Sequence, residues 1–161
     1  MNLETSEYKI RNAKHGEEIF LSELAIRSKA YWGYTNDFLN TCRLHIKIDH
    51  EYIEKWPVVL IENNNEILGF YSLKIIKSEP RLDNLWIEPK YIKQGIGRIL
   101  FEHACETAKY LGWTHFRLAG EPDAVEFYEK MGAKLIGKIQ SRISEDLFLP
   151  HMEMSFERKQ C

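Results

Sequence analysis

Cysteine is scarce in this chain of 161 residues, with three widely spaced residues, Cys42, Cys105 and Cys161. An odd set of this kind builds no disulfide framework, and none of its spacings is that of metal ligands. Reduced thiols in a cytosolic setting are expected, with Cys105 a small core residue. Long apolar runs are also lacking. No stretch approaches the roughly 18 residues of a membrane span, and Met1–Ile10 has no signal-peptide core, so no membrane partner is expected. Charge of one sign is missing too. The chain has 22 Lys and Arg against 24 Asp and Glu, a net charge of −2, which gives no general attraction to nucleic acid. Repeats, low-complexity tracts and long linkers are absent, so residues 1–161 are expected to form one domain. The six histidines, His15, His45, His50, His103, His115 and His151, show no metal or Ser/His/Asp spacing, and no metal is expected. His151 is a minor candidate for a base.

What is present alternates between strand-like and helix-like runs. Tyr8–Asn12 reads as a strand, and Glu17–Ala30 has helical apolar spacing through Phe20, Leu21, Leu24 and Ala25. Asn36–Glu54 reads as helical in part. Pro57–Ile61 and Glu66–Ile76 flank Asn63-Asn64-Asn65, a hairpin signal because Asn tolerates the left-handed region. Leu82–Ile87 is a strand stopped by Pro89. A helix from about Ile99 to Leu111 closes at Gly112, and Thr114–Ala119 is a strand. Glu121-Pro122-Asp123-Ala124 starts a helix ended by Gly132, and Ala133–Ile139 and Leu149–Phe156 close the chain as strands. The order β-α-α-β-β-β-α-β-α-β-β predicts an α/β domain with one central mixed sheet.

The segment Gln94-Gly95-Ile96-Gly97-Arg98 joins the Leu82–Ile87 strand to the next helix. The first amides of a helix have no intrahelical acceptor and the dipole there favours an anion. Glycine lets backbone approach a phosphate. Position 100 is Leu, so this is no dinucleotide fingerprint, and no Gly-Lys-Ser/Thr makes it a P-loop.

The run from Leu85 to Phe101, Leu-Trp-Ile-Glu-Pro-Lys-Tyr-Ile-Lys-Gln-Gly-Ile-Gly-Arg-Ile-Leu-Phe, closely resembles the acetyl-CoA-binding signature of the GNAT N-acetyltransferases. Ala124-Val125-Glu126-Phe127-Tyr128-Glu129-Lys130-Met131-Gly132-Ala133, beginning 27 residues after Gly97, is similar to the family's second signature. The resemblance covers most of the chain and is weakest over Asn36–Glu54. It implies a mostly antiparallel sheet with splayed central strands flanked by helices, and acetyl-CoA as cosubstrate. The pantetheine arm would lie along the backbone of Leu85, Trp86 and Ile87, and amides from Lys93, Gln94, Gly95, Ile96, Gly97 and Arg98 would hold the pyrophosphate. One departure is Ile92, where the family often has Gln or Arg.

Periodicity alone reads Tyr128 as a core aromatic, whereas the resemblance implies a general acid that protonates the leaving thiolate. A phenol with an ordinary pKa of about 10 is protonated at neutral pH. The acceptor, a primary amine of a small molecule or peptide, is mostly ammonium at pH 7 and must lose a proton before attack. Strand alternation places Arg81, Asp83, Leu85 and Ile87 on one face. Asp83 is therefore a candidate base and Glu79 a weaker one; the alternative is an ion pair of Asp83 with Arg81 or another neighbour. The aromatic stretch Ser28-Lys29-Ala30-Tyr31-Trp32-Gly33-Tyr34 is either a core plug or an acceptor wall, with Trp32 or Tyr34 touching substrate. A non-catalytic acyl-CoA sensor is the alternative function, and a homodimer is possible by analogy with the family.

Overall fold

The computed structural model describes residues 7–156. In chain order the elements are β1 (Tyr8–Asn12), α1 (Glu18–Ala30), α2 (Asn36–His45), α3 (His50–Lys55), β2 (Val58–Asn63), β3 (Glu66–Ile76), β4 (Glu79–Ile87), α4 (Ile96–Tyr110), β5 (His115–Ala119), α5 (Val125–Lys130), β6 (Lys134–Gln140) and β7 (Phe148–Ser155). Short 3₁₀ turns at Pro89–Tyr91 and Pro122–Ala124 precede α4 and α5. The Asn36–Glu54 segment is two helices because it holds two caps. Thr35 Oγ1 accepts the Phe38 amide at 3.2 Å and Asp49 Oδ1 accepts the Tyr52 amide at 2.8 Å. Helix α4 starts three residues before the position periodicity suggests, directly at the glycine turn.

The strands form one sheet in the order β1-β2-β3-β4-β5-β7-β6. Every neighbouring pair is antiparallel except β4–β5, which is parallel and meets only at Arg81 and Arg117. Beyond that point the two strands diverge, so the sheet is split in its middle. The mixed, mostly antiparallel sheet with splayed central strands is thus present.

Apolar residues fill both faces of the sheet. On one face, Leu100, Phe101, Ala104 and Ala108 of α4 pack with Tyr71, Leu82, Phe116 and Tyr128. On the other, Leu21, Leu24 and Ala25 of α1 pack with Leu60 and Phe70, and Trp86 joins that side. A smaller cluster of Ile26, Leu39 and Cys42 locks α2 onto α1. Gly69 is required by close approach: a Cβ there would lie 2.7 Å from the Trp86 carbonyl oxygen of the adjacent strand.

Candidate active site

The split between β4 and β5 opens a cleft of about 880 Å³. Glu88 donates its amide to Leu68 of β3 at 2.9 Å. Antiparallel alternation then turns the backbone groups of Leu85 and Ile87 away from β3, into the split. The Ile87 amide meets Ser28 Oγ of α1 at 3.3 Å, so its place on the cleft wall is held by a hydroxyl that can be exchanged. Leu85 and Ile87 pack with the α4 cluster, whereas Trp86 packs with the α1 cluster, and all three line the cleft. The opening therefore passes through the sheet and is accessible from both faces.

On the α4 face the cleft ends at the glycine turn. Gly95 sits at φ +88°, a conformation that costs other residues about 1–2 kcal/mol, and Lys93 before it is also left-handed at φ +68°. The first intrahelical bond runs from the Ile99 amide to the Gly95 carbonyl at 3.2 Å. The amides of Ile96, Gly97 and Arg98 thus lack carbonyl partners, and no side chain caps them and no acidic residue occupies the first turn. This is an anion cradle left open by its own sequence. Lys93, Gly95, Gly97 and Arg98 line the cleft. Gln94 and Ile96 do not line it: Gln94 Nε2 turns back to the Lys90 carbonyl at 3.1 Å, and the Ile96 side chain is core. Their expected contribution is confined to backbone.

The second sequence signature meets the first here. Helix α5 packs against the start of α4: a Cβ on Gly97 would lie 3.4 Å from the Phe127 ring, in ordinary contact. Tyr128 follows, buried and lining the cleft, with its ring against Gly120 and tilted on Phe101. The ring is core, as periodicity reads it, and the residue also faces the cleft. Burial first, and then the nearby negative charge of Glu121, push its hydroxyl above the usual phenol range. It therefore stays protonated across neutral and mildly alkaline pH.

Asp83 corrects a sequence expectation. In β4, Asn84 pairs with Ser72 and Leu82 with Leu73, so Asp83 is an extra, bulged residue. The bulge breaks the alternation. Leu82, not Asp83, shares the face of Leu85 and Ile87, and Asp83 turns toward α3. It still lines the cleft, on the α1–α3 side. Its Oδ2 accepts from the Tyr52 hydroxyl at 2.6 Å and, at 3.5 Å, from Asn84 Nδ2. Its Oδ1 accepts from Arg142 at 3.0 Å. The expected ion pair exists, but the partner is Arg142; Arg81 pairs with Glu79 at 2.7 Å. Glu79 is a poor base: burial alone would raise its carboxyl, but Arg81 and Arg117 outweigh burial and hold it below the usual range.

The aromatic segment divides. Trp32 lines the cleft, whereas Tyr34 donates its hydroxyl to Glu121 and stacks on Phe38. Burial first, then that carboxylate, raise the Tyr34 hydroxyl above its usual range. Sequence reasoning missed the anchor beside it. Lys29 of α1 is buried, gives Nζ to Glu121 at 2.6 Å and lies 4.6 Å from the Tyr34 ring centroid. It missed Tyr52 and Arg142 as well, since neither stands in a motif. The histidines also hold one surprise: among the described residues His15, His50 and Glu54 gather within 4.8 Å, all exposed and none lining the cleft.

Comparison with known proteins adds a family. Residues 54–132 match the acetyltransferase (GNAT) domain. The chain is similar to the peptidyl-lysine N-acetyltransferase YjaB of Salmonella typhimurium, 33% identical over 132 residues that span 80% of this chain and 85% of that one. A GCN5-related N-acetyltransferase from Rhodopseudomonas palustris shares the fold with a TM-score of 0.79 at 17% identity, covering 96% of this chain and 99% of that one. The PaiA N-acetyltransferase of Thermoplasma acidophilum, solved in complex with coenzyme A, gives 0.75 at 22% identity, covering 92% and 99%.

Proposed function

The chain belongs to the GNAT acetyltransferase family, and from that premise we propose how its split sheet transfers acetyl from acetyl-CoA to a primary amine. The donor enters on the α4 face. The backbone amides from Lys93 to Arg98 receive its pyrophosphate, and Lys93 and Arg98 add positive charge at the rim. Leu85 and Ile87 offer backbone groups to the pantetheine arm, with the Ser28 hydroxyl giving up the Ile87 amide. The Leu85 amide polarises the acetyl carbonyl.

The acceptor enters from the α1–α3 face, past Trp32. Holding amine and thioester together in one cleft supplies much of the rate. The amine attacks as the free base. The carboxylate of Asp83 already accepts from three donors, so its role is to organise the acceptor side, and the amine's proton leaves through water. The Tyr128 hydroxyl gives its proton to the departing thiolate.

The observation that supports this reading best is Tyr128 itself: a protonated phenol on the wall of the split, fixed through Phe127 against the anion cradle. Tyr128→Phe keeps the ring and removes the proton. It should lower kcat by about 10²-fold or more while coenzyme A affinity changes little. Thiol release from acetyl-CoA with a panel of amines measures this, and undiminished turnover in the variant would remove Tyr128 as the acid. A non-catalytic sensor would release no thiol with any amine.

A further inference from the structure

Arg142 lies in the loop between β6 and β7, 59 residues from Asp83 in sequence. Its side chain is 64% exposed, yet its guanidinium rests on a carboxylate whose side chain is 7% exposed. The two ends of this ion pair are unequal. Asp83 is fixed from below by Tyr52, and Tyr52 in turn meets Ser72 at 2.8 Å, as does Asn84. Asn84 is itself braced by the indole of Trp86, whose Nε1 donates to Asn84 Oδ1 at 2.8 Å. This network sets the direction of the carboxylate whether or not Arg142 is present. Arg142, by contrast, is itself mostly in water and loses little on leaving, provided another cation takes its place. A nearly buried carboxylate without a cation is costly. The site therefore always wants a cation, and the one it has is replaceable.

Resting on the acetyltransferase reading, we propose that the acceptor carries a second cationic group, separate from the amine that reacts, and that this group takes the place of Arg142 at Asp83 Oδ1. The reacting amine cannot be the group held there. Pairing with a carboxylate stabilises the ammonium form, and only the free base attacks a thioester. The group that replaces Arg142 must remain charged throughout. The surroundings suit such a group. Among the cleft-lining residues the cations belong to the turn before α4, to α4 and to α5: Lys93, Arg98, Lys109 and Lys130. On α4, Glu102 and Glu106 accompany those cations and pair with Arg98 and Lys109; the rest of the lining offers Asp83, Glu121 and Asp123 with the faces of Trp32 and Trp86. Among the lining carboxylates away from α4, Glu121 is already neutralised by the buried Lys29, whereas the nearly buried Asp83 is paired with an exposed, exchangeable cation.

The substrate class is thus an alkyl diamine or a longer polyamine. The probes are 1,4-diaminobutane and 1-aminobutane, which differ by one charge. Binding to the coenzyme A-saturated protein is measured by calorimetry for the wild type, Asp83→Asn and Arg142→Ala. The diamine should bind at least about tenfold more tightly than the monoamine, as one charge-assisted hydrogen bond predicts. Asp83→Asn should erase that ratio by weakening the diamine alone. Arg142→Ala should tighten the diamine several-fold, because the competing cation is gone; a purely structural Arg142 would give no tightening. Equal binding of the two amines, no binding of the diamine, or a ratio that survives in Asp83→Asn would overturn the proposal. The acetyltransferase reading has a separate readout, thiol release from acetyl-CoA with any amine, and stands or falls independently.

Discussion

The two ends of the cleft are built from different materials. The proposed donor end is mostly backbone: amides freed by the start of α4, a left-handed Gly95, and carbonyl and amide groups of β4 exposed where β5 diverges. The proposed acceptor end is side chains contributed by four separate segments. Trp32 comes from the turn after α1, Tyr52 from α3, Asp83 from a bulge in β4 and Arg142 from the β6–β7 loop. Backbone can serve the part of a ligand that never changes. Side chains on separate segments can be replaced one at a time, and that is where a family can alter its acceptor without disturbing its donor.

The difference predicts where stability and binding come apart, and the largest effect lies at the acceptor end. Lys29 and Glu121 form an ion pair with side chains 4% and 10% exposed. It ties α1 to the segment that leads into α5, the helix carrying Tyr128. Lys29→Met leaves Glu121 buried without its cation and should cost about 3–5 kcal/mol of folding stability. Lys29→Met combined with Glu121→Gln should recover much of that loss, since both charges are then removed. Urea unfolding of the three proteins decides it; a single variant as stable as the wild type would mean the pair is solvent-screened in solution.

At the donor end the same kind of insult should act on binding instead. Gly97→Leu places a side chain against Phe127 and, on the proposed binding mode, in the path of the pyrophosphate. Better helix propensity, worth about 1 kcal/mol over glycine, offsets part of the crowding in the free protein. Coenzyme A affinity should fall about tenfold or more while the unfolding midpoint moves little. Equilibrium dialysis with coenzyme A tests this, and unchanged affinity would place the pyrophosphate elsewhere.

The same division explains what could be read from the sequence. The glycine turn and the Phe127-Tyr128 helix are local patterns with fixed spacing, so both were legible, and the fold brings the two into contact. Hairpins were legible only where their turn residues advertise themselves. Asn64-Asn65 adopt φ +49° and +66°, as Asn readily does, whereas Lys77-Ser78 adopt φ +51° and +66° with no such signal. The start of β4 at Glu79 was therefore missed. The Asp83 bulge was illegible for another reason. Alternation has no marker for an inserted residue, and a single bulge reverses the face of everything before it. The partners of Asp83 come from segments 31 and 59 residues away, a distance that no local pattern spans.

The smallest predicted effect is a pH dependence centred under the donor end. His103 of α4 is partly buried, with Nδ1 at 2.7 Å from the Tyr71 hydroxyl, and burial lowers its pKa, against a weaker opposing pull from Glu106. The unfolded chain takes up a proton there near pH 6.5, before the folded protein does. Over that interval the unfolded state binds more protons, so stability rises with pH and is present in full above about pH 6.5. It is lost as pH falls from there through the lower folded-state pKa. Solvent screening keeps the loss under about 1 kcal/mol. His103→Gln retains a hydrogen-bonding side chain beside Tyr71 but cannot titrate. The difference in stability between wild type and variant should therefore shift in the variant's favour between pH 7 and pH 5.5. The Lys29–Glu121 variants leave His103 and its surroundings in place and should show the same His103-centred step as the wild type. A pH-independent difference between wild type and His103→Gln would show that the imidazole protonates as easily folded as unfolded, and would separate the α4 face from any acid sensitivity of the protein.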